Sequence, residues 1–139
     1  MIPIEEALRL VDEALKDALL PPEPLDPRSA LGRVLAADAV SRLDLPPFDK
    51  SAVDGYAIRG DDPAPTFRLV ETVAAGRVGK QPLRPGTAVK VMTGAPVPEG
   101  TGRVIMREQA EETSGTVRFR AAVGPDHVCR RAADVRCGA

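Results

Sequence analysis

Apolar residues at Ile4, Leu8, Val11, Leu15 and Leu19 recur at steps of three and four, with Glu5, Glu6, Asp12, Glu13, Lys16 and Asp17 largely between them. That period predicts an amphipathic helix over Pro3 to Leu20. Pro3 suits its first turn, the early glutamates complement its positive end, and Pro21-Pro22 stop it. The apolar stripe has to pack on something: the rest of the chain, a carboxy-terminal segment outside the sequence, or another subunit. Asp26 as cap with Pro27 behind it predicts a second, short helix from Asp26 to Leu31, closed by Gly32.

After Gly32 the pattern changes to short apolar runs between turn signals. Strands are predicted at Val34 to Val40, Gly55 to Arg59, Phe67 to Val73, Ala88 to Met92, Val104 to Arg107 and Thr116 to Arg120. Gly60-Asp61-Asp62-Pro63, Pro85-Gly86, Glu99-Gly100 and Ser114-Gly115 separate them. The expected fold class is therefore mainly β (α+β), with an amino-terminal helical arm over residues 1–25 and a β-rich domain over 26–139. No repeat, low-complexity tract or long linker interrupts this order.

Composition narrows the function classes. Fourteen prolines and twelve glycines in 139 residues fit many short elements and argue against a helical bundle. Nineteen Lys and Arg against twenty Asp and Glu leave no net field to recruit nucleic acid or an anionic membrane, so any anion site must be local. At 3% aromatic content and without Trp, base-stacking platforms are excluded and the core must be aliphatic. Glu5 and Glu6 stand where a secretion signal would be basic, and no apolar run approaches the roughly 20 residues of a membrane helix, so a cytoplasmic location is expected. Cys129, Cys137 and His127 match no common zinc spacing. Two reduced thiols are the simpler reading, and a Cys-Cys-His metal site is the alternative.

Two segments carry most of the chemistry. The first, LPPFDKSAVDGYAI from Leu45 to Ile58, enters stiffly through Pro46-Pro47 and ends on Asp54-Gly55 before an alternating run. Gly55 lets the backbone reverse or approach a neighbour closely. Asp54 either bonds its own backbone in an Asx-type turn or serves as a ligand for a hydrated cation. The second, VKVMTGAPVPEGTG from Val89 to Gly102, puts Thr93 and Gly94 at the end of an apolar strand. There a hydroxyl and an amide can donate to a tetrahedral oxyanion, with Lys90 adding charge if it faces the same way, or the segment is a plain strand and proline-rich turn. It lacks the spacing of a P-loop. In the tail, Arg130-Arg131 can clamp an oxyanion bidentately or form a solvated face with Asp134 and Arg136. Glu108 reads as an exposed charge at a strand end.

Taken together, PPFDKSAVDGYA followed about forty positions later by VMTGAPVPEG resembles the MoeA family, the molybdopterin molybdenumtransferases of molybdenum cofactor synthesis. The likeness extends from the leading helix through ALGRVLA at Ala30 to Ala36 and into the Arg-Arg-x-x-Asp tail. It implies a β-rich body of bifurcated and coiled sheets, with the first helix in an elongated arm that pairs subunits as a homodimer. It implies Mg²⁺, with molybdate and adenylylated molybdopterin as substrates and AMP as a product. It also implies catalytic roles for Asp54, Thr93 and Asp134, metal binding by Asp54, and cofactor binding by Ser51, Gly94, Arg130 and Arg131. The α/β pterin-binding domain and the carboxy-terminal domain of that family are not in this sequence, so a further domain or a partner chain would complete the site. Departures from the family pattern are Lys50 for Asn, Gly102-Arg103 for Asp-Ala, Cys129 for the first of three arginines, and Ala132-Ala133 for Gly-Glu.

Overall fold

The computed structural model describes residues 2–18, 20–60, 62–120 and 124–139, in two compact units, Met1–Ala39 and Val40–Ala139. In the first unit, helix α1 spans Ile4–Leu15, shorter than the Pro3 to Leu20 span that the apolar period predicts. Lys16 N–H reaches back to Glu13 O and Ala18 N–H to Leu15 O, three-residue bonds that tighten and end the helix. Leu19 lies outside the described residues. No residue of α1 is buried, and Ile4, Leu8, Val11 and Leu15 form an open apolar stripe, Ile4 being 74% exposed. The predicted second helix is a single 3₁₀ turn, Pro27–Ser29, whose Arg28 N–H donates to the Asp26 carboxylate as the cap predicts. Val34 to Val40 forms no strand, and Val34 is 95% exposed. Its apolar residues match a strand's composition, but no described segment supplies a ladder for them.

Among the described residues the second unit contains eight strands: β1 Lys50–Ser51, β2 Gly55–Ile58, β3 Phe67–Val73, β4 Thr87–Val91, β5 Arg103–Met106, β6 Ala110–Thr113, β7 Thr116–Phe119 and β8 Val128–Cys129. Six of them form one sheet in the order β5-β2-β4-β3-β7-β6, and β1 pairs with β8. All pairs are antiparallel except β3 with β4. The other five predicted strands fall within a residue of these spans. The polar strand β6, Ala-Glu-Glu-Thr, has no apolar alternation to betray it. It is set by the hairpin to β7, whose two-residue turn Ser114-Gly115 takes positive φ at both positions.

The sheet cannot be flat. Edge strands β5 and β6 are joined only by the 3₁₀ turn Arg107–Gln109, which also carries Glu108 off the end of β5. Four chain steps reach at most about 14 Å, whereas six flat strands would hold their edges about 24 Å apart. The sheet therefore curls until its edges approach. Alternate residues consequently feed two cores: Ala57, Val73, Val89, Val91 and Val104 on one face, and Tyr56, Ile58, Phe67, Ala88, Ile105 and Val117 on the other. The curl also lets Glu112 of β6 reach β2 and β4, where its Oε2 accepts from Tyr56 Oη and Lys90 Nζ, both at 2.7 Å.

Candidate functional site

Three stretches remote in sequence are hydrogen-bonded side by side around residues 49–54. On one side Val97 N–H donates to Asp49 O at 3.0 Å, Ser51 N–H to Ala95 O at 2.9 Å, and Gly94 N–H to Ser51 O at 2.9 Å. On the other side β1 pairs with β8, setting Lys50 opposite Cys129 and Ser51 opposite Val128, and Ala52 N–H donates to His127 O. The two proline-containing segments and the tail thus form one local assembly.

Asp54 stands where this assembly feeds into β2. Its Oδ1 accepts from Thr93 N–H at 2.7 Å and from Thr93 Oγ1 at 2.8 Å, while Oδ2 has no hydrogen bond among the described residues. The backbone bond from Thr93, then its hydroxyl, and then the charge of Arg107 hold the Asp54 carboxyl below the ordinary carboxylate range. Asp54 is therefore ionised at neutral pH, and it bonds across the site instead of into its own turn. Gly55 meets the close-approach reading: a Cβ there would overlap the carbonyl oxygen of Ile105 on β5.

The other candidate residues are placed as follows. Ser51 is buried, and its hydroxyl donates to Val53 O at 2.5 Å and accepts from Val53 N–H at 3.3 Å, stabilising the local turn. Gly94 has φ 78°, and its N–H is taken by Ser51 O, so that amide is not available to an oxyanion in this arrangement. Lys90 does not extend toward Thr93. It pairs across the strand with Tyr56, lies 5.6 Å from that ring's centroid and bonds Glu112, which raises its pKa.

The tail arginines are engaged by carboxylates. Arg130 Nη1 donates to Asp49 Oδ2 at 3.0 Å, Arg131 N–H to Asp49 Oδ1 at 2.8 Å, and Arg131 Nε to Asp44 Oδ2 at 2.6 Å. Cys137 N–H donates to Asp44 Oδ1 at 2.8 Å. The Arg131 N–H and Arg130 guanidinium lower the Asp49 carboxyl, and the Cys137 N–H followed by Arg131 lowers Asp44. Asp134 is exposed and is fixed through its backbone, donating N–H to Leu45 O at 2.9 Å. No described bond joins it to Asp54 or Thr93. The residues that sequence reasoning passed over are Asp44 and Asp49. Their signal was available, because Asp44, Asp49 and Asp54 recur every five residues from just before the first segment into it.

The described residues offer Mg²⁺ one open carboxylate oxygen, Asp54 Oδ2, and no preformed cage. No group of three or more His, Cys, Asp or Glu among them is arranged to hold a metal ion, and Asp54 brings a single carboxylate. Cys129 and Cys137 are free thiols.

The family model described as MoeA N-terminal region (domain I and II) matches residues 2–139. The chain belongs to this family. Among its MoeA-family relatives, molybdopterin molybdenumtransferase 2 of Mycobacterium tuberculosis (strain CDC 1551 / Oshkosh) is 35% identical over 143 residues, covering 97% of this chain and 35% of the relative. The molybdopterin molybdenumtransferase of Staphylococcus aureus (strain MRSA252) is 34% identical over 127 residues, covering 86% of this chain and 30% of that one. The crystal structure of a molybdopterin biosynthesis moeA protein from Pyrococcus horikoshii OT3 superimposes with a TM-score of 0.80 at 36% identity, covering 100% of this chain and 38% of that protein. The MoeA-family chain thus spans about a third of the length of these relatives. Its mainly β architecture of curled sheet and single amino-terminal helix matches that structure, as the sequence predicts.

Proposed function

We propose that this chain is the amino-terminal part of a molybdopterin molybdenumtransferase, which inserts molybdenum from molybdate into adenylylated molybdopterin with release of AMP. Family membership and the names of the relatives support the substrate class. The observation that carries the site is the pair of hydrogen bonds from Thr93 to Asp54 Oδ1, which ties the two segments at a solvent-open place. An ionised Asp54 offers Oδ2 to a substrate donor or a cation. Thr93 directs its hydroxyl proton to Asp54 and keeps its hydroxyl lone pairs as acceptors. Asp54 Oδ2 would be the protein ligand of such a cation, and no step is routed through Mg²⁺.

The test is turnover by the natural protein that carries this chain, with Asp54→Asn, Asp54→Ala and Thr93→Val, alongside thermal unfolding. The expected result is at least a hundredfold loss of cofactor formation with Asp54→Ala and an unchanged fold. Full turnover in all three variants would remove this pair from the reaction.

A second reading is a non-catalytic dimerisation or anion-binding module, and one observation favours its dimerisation form. The Thr93 N–H, the Thr93 hydroxyl and the Gly94 N–H are all engaged inside the chain. It predicts that the variants change stability alone. In either reading we propose a homodimer through the helical arm, supported by the open stripe of Ile4, Leu8, Val11 and Leu15. Light scattering checks this: Leu8→Glu is expected to halve the mass, and a monomeric parent protein would overturn it.

A further inference from the structure

At the far end of β4 from Thr93 lies a polar cavity of about 380 Å³ lined by Arg68, Val70, Gln81, Pro82, Arg84 and Thr87. Thr87 and Thr93 are six residues apart, which along an extended strand is about 20 Å. No carboxylate is in the lining. Two carboxylates bonded to the segment that lines it are already engaged by backbone. Glu71 accepts from the N–H groups of Lys80 and Gln81, and Asp62 accepts from Gly86 N–H at 2.6 Å.

Those bonds have a second effect, which is to fix the backbone that carries Gln81 and Arg84. Thr87 Oγ1 accepts from Arg84 N–H at 2.8 Å and donates to Arg84 O at 2.7 Å, and Arg68 N–H donates to Gly86 O at 2.8 Å. The segment from 80 to 87 is therefore pinned to β3 and β4 at several points, while the Arg68 and Arg84 guanidinium groups have no hydrogen bond or ion pair among the described residues. Arg130 and Arg131, by contrast, are held by carboxylates. Two arginines on fixed backbone, with no guanidinium partner among the described residues and lining one polar cavity together with Gln81, suit an anion with several oxygens.

We propose that this cavity binds the phosphoryl group of a small molecule, with Arg68 and Arg84 as the paired donors and Gln81 as a third. The volume exceeds that of a phosphate ion, leaving room for the group that carries it. A free phosphate and a phosphomonoester share this recognition chemistry.

The test is NMR titration of the chain with inorganic phosphate and, separately, with glycerol phosphate. Saturable shifts are expected at the amides of Gln81, Arg84 and Thr87. Arg68→Gln and Arg84→Gln should each weaken binding at least tenfold. Arg77→Gln, the same charge change on the exposed part of the loop, should stay within twofold. Binding of both probes upholds a phosphoryl site open to esters, and binding of phosphate alone upholds the site with the free anion as its ligand. Absence of saturable shifts with both probes would overturn the proposal. So would equal weakening by all three substitutions, which would mean diffuse charge attraction. Unchanged thermal midpoints in the variants keep the comparison free of folding effects.

Discussion

Asp54 Oδ1 receives both the backbone N–H and the hydroxyl of Thr93, a residue 39 positions away, at 2.7 and 2.8 Å. One carboxylate oxygen therefore sets the path of the second proline-containing segment as it leaves β4. Replacing Asp54 with Ala is expected to speed amide exchange at Thr93 at least tenfold while Val89 and Val91, deep in the sheet, keep their protection. Hydrogen exchange followed by NMR checks this, and an unaltered Thr93 amide would show that the bond does not hold the loop.

Gly55 is required by space. A methyl group there meets the Ile105 carbonyl of β5, and β2 is buried on both faces. Gly55→Ala should cost about 1–3 kcal/mol by forcing β2 and β5 apart. Urea unfolding measures it, and a loss below about 0.5 kcal/mol would indicate that the pair adjusts freely.

Glu112 links the edge strand β6 to Tyr56 and Lys90, side chains of two strands that a flat sheet would keep remote. Lys90 and Glu112 are partly open, at 24% and 34% side-chain exposure, so solvent screens their charge. Tyr56→Phe should cost about 1 kcal/mol, and Glu112→Ala, which removes both bonds, about 1–3 kcal/mol. A double-mutant cycle between Tyr56 and Glu112 should give clear coupling, and strict additivity would remove Glu112 as the closure.

Acid sensitivity follows from four carboxylates. Asp44, Asp49, Asp54 and Glu112 are all lowered in the fold by hydrogen bonds and nearby cations. The unfolded chain therefore takes up protons first, from about pH 4.5 downward. The stability these groups contribute is complete above that pH and is lost as pH falls through their lower folded values. At the alkaline end, Tyr56 and Lys90 are raised, so their contribution is complete below about pH 10 and lost above it. The thermal midpoint should be level from about pH 6 to 9 and fall below about 4. A fall already complete at pH 5 would contradict the assignment.

The tail is latched through Asp44 and Asp49. Asp49→Asn should raise exchange at the amides of Arg131, Ala132 and Val135 and make the tail easier to cleave, leaving β2 to β5 unaffected. Limited proteolysis with mass spectrometry checks this, and higher salt should act in the same direction on the exposed Arg130 and Arg131 pairs.

Much of this protein is written locally. The apolar runs of β2, β3, β4, β5 and β7, the Asp26-Pro27 cap and the Ser114-Gly115 turn are legible because side-chain period and turn chemistry act over a few residues. The two motif segments also announce themselves through their prolines, Asp54 and Thr93. Strand β6 and the failed strand at Val34 to Val40 were not legible, because whether a segment pairs depends on what lies beside it. The partners of each polar group were hidden as well. Lys90, Gly94, Arg130 and Arg131 have the composition of an anion site, yet curling of the sheet turns Lys90 to Glu112, β1 takes the Gly94 amide, and Asp44 and Asp49 take the arginines. Sequence alone determined which chemistry was present in LPPFDKSAVDGYAI and VMTGAPVPEG. Only tertiary structure decided which groups were left to use it, because a hydrogen bond between residues 39 apart exists only once the chain between them has folded.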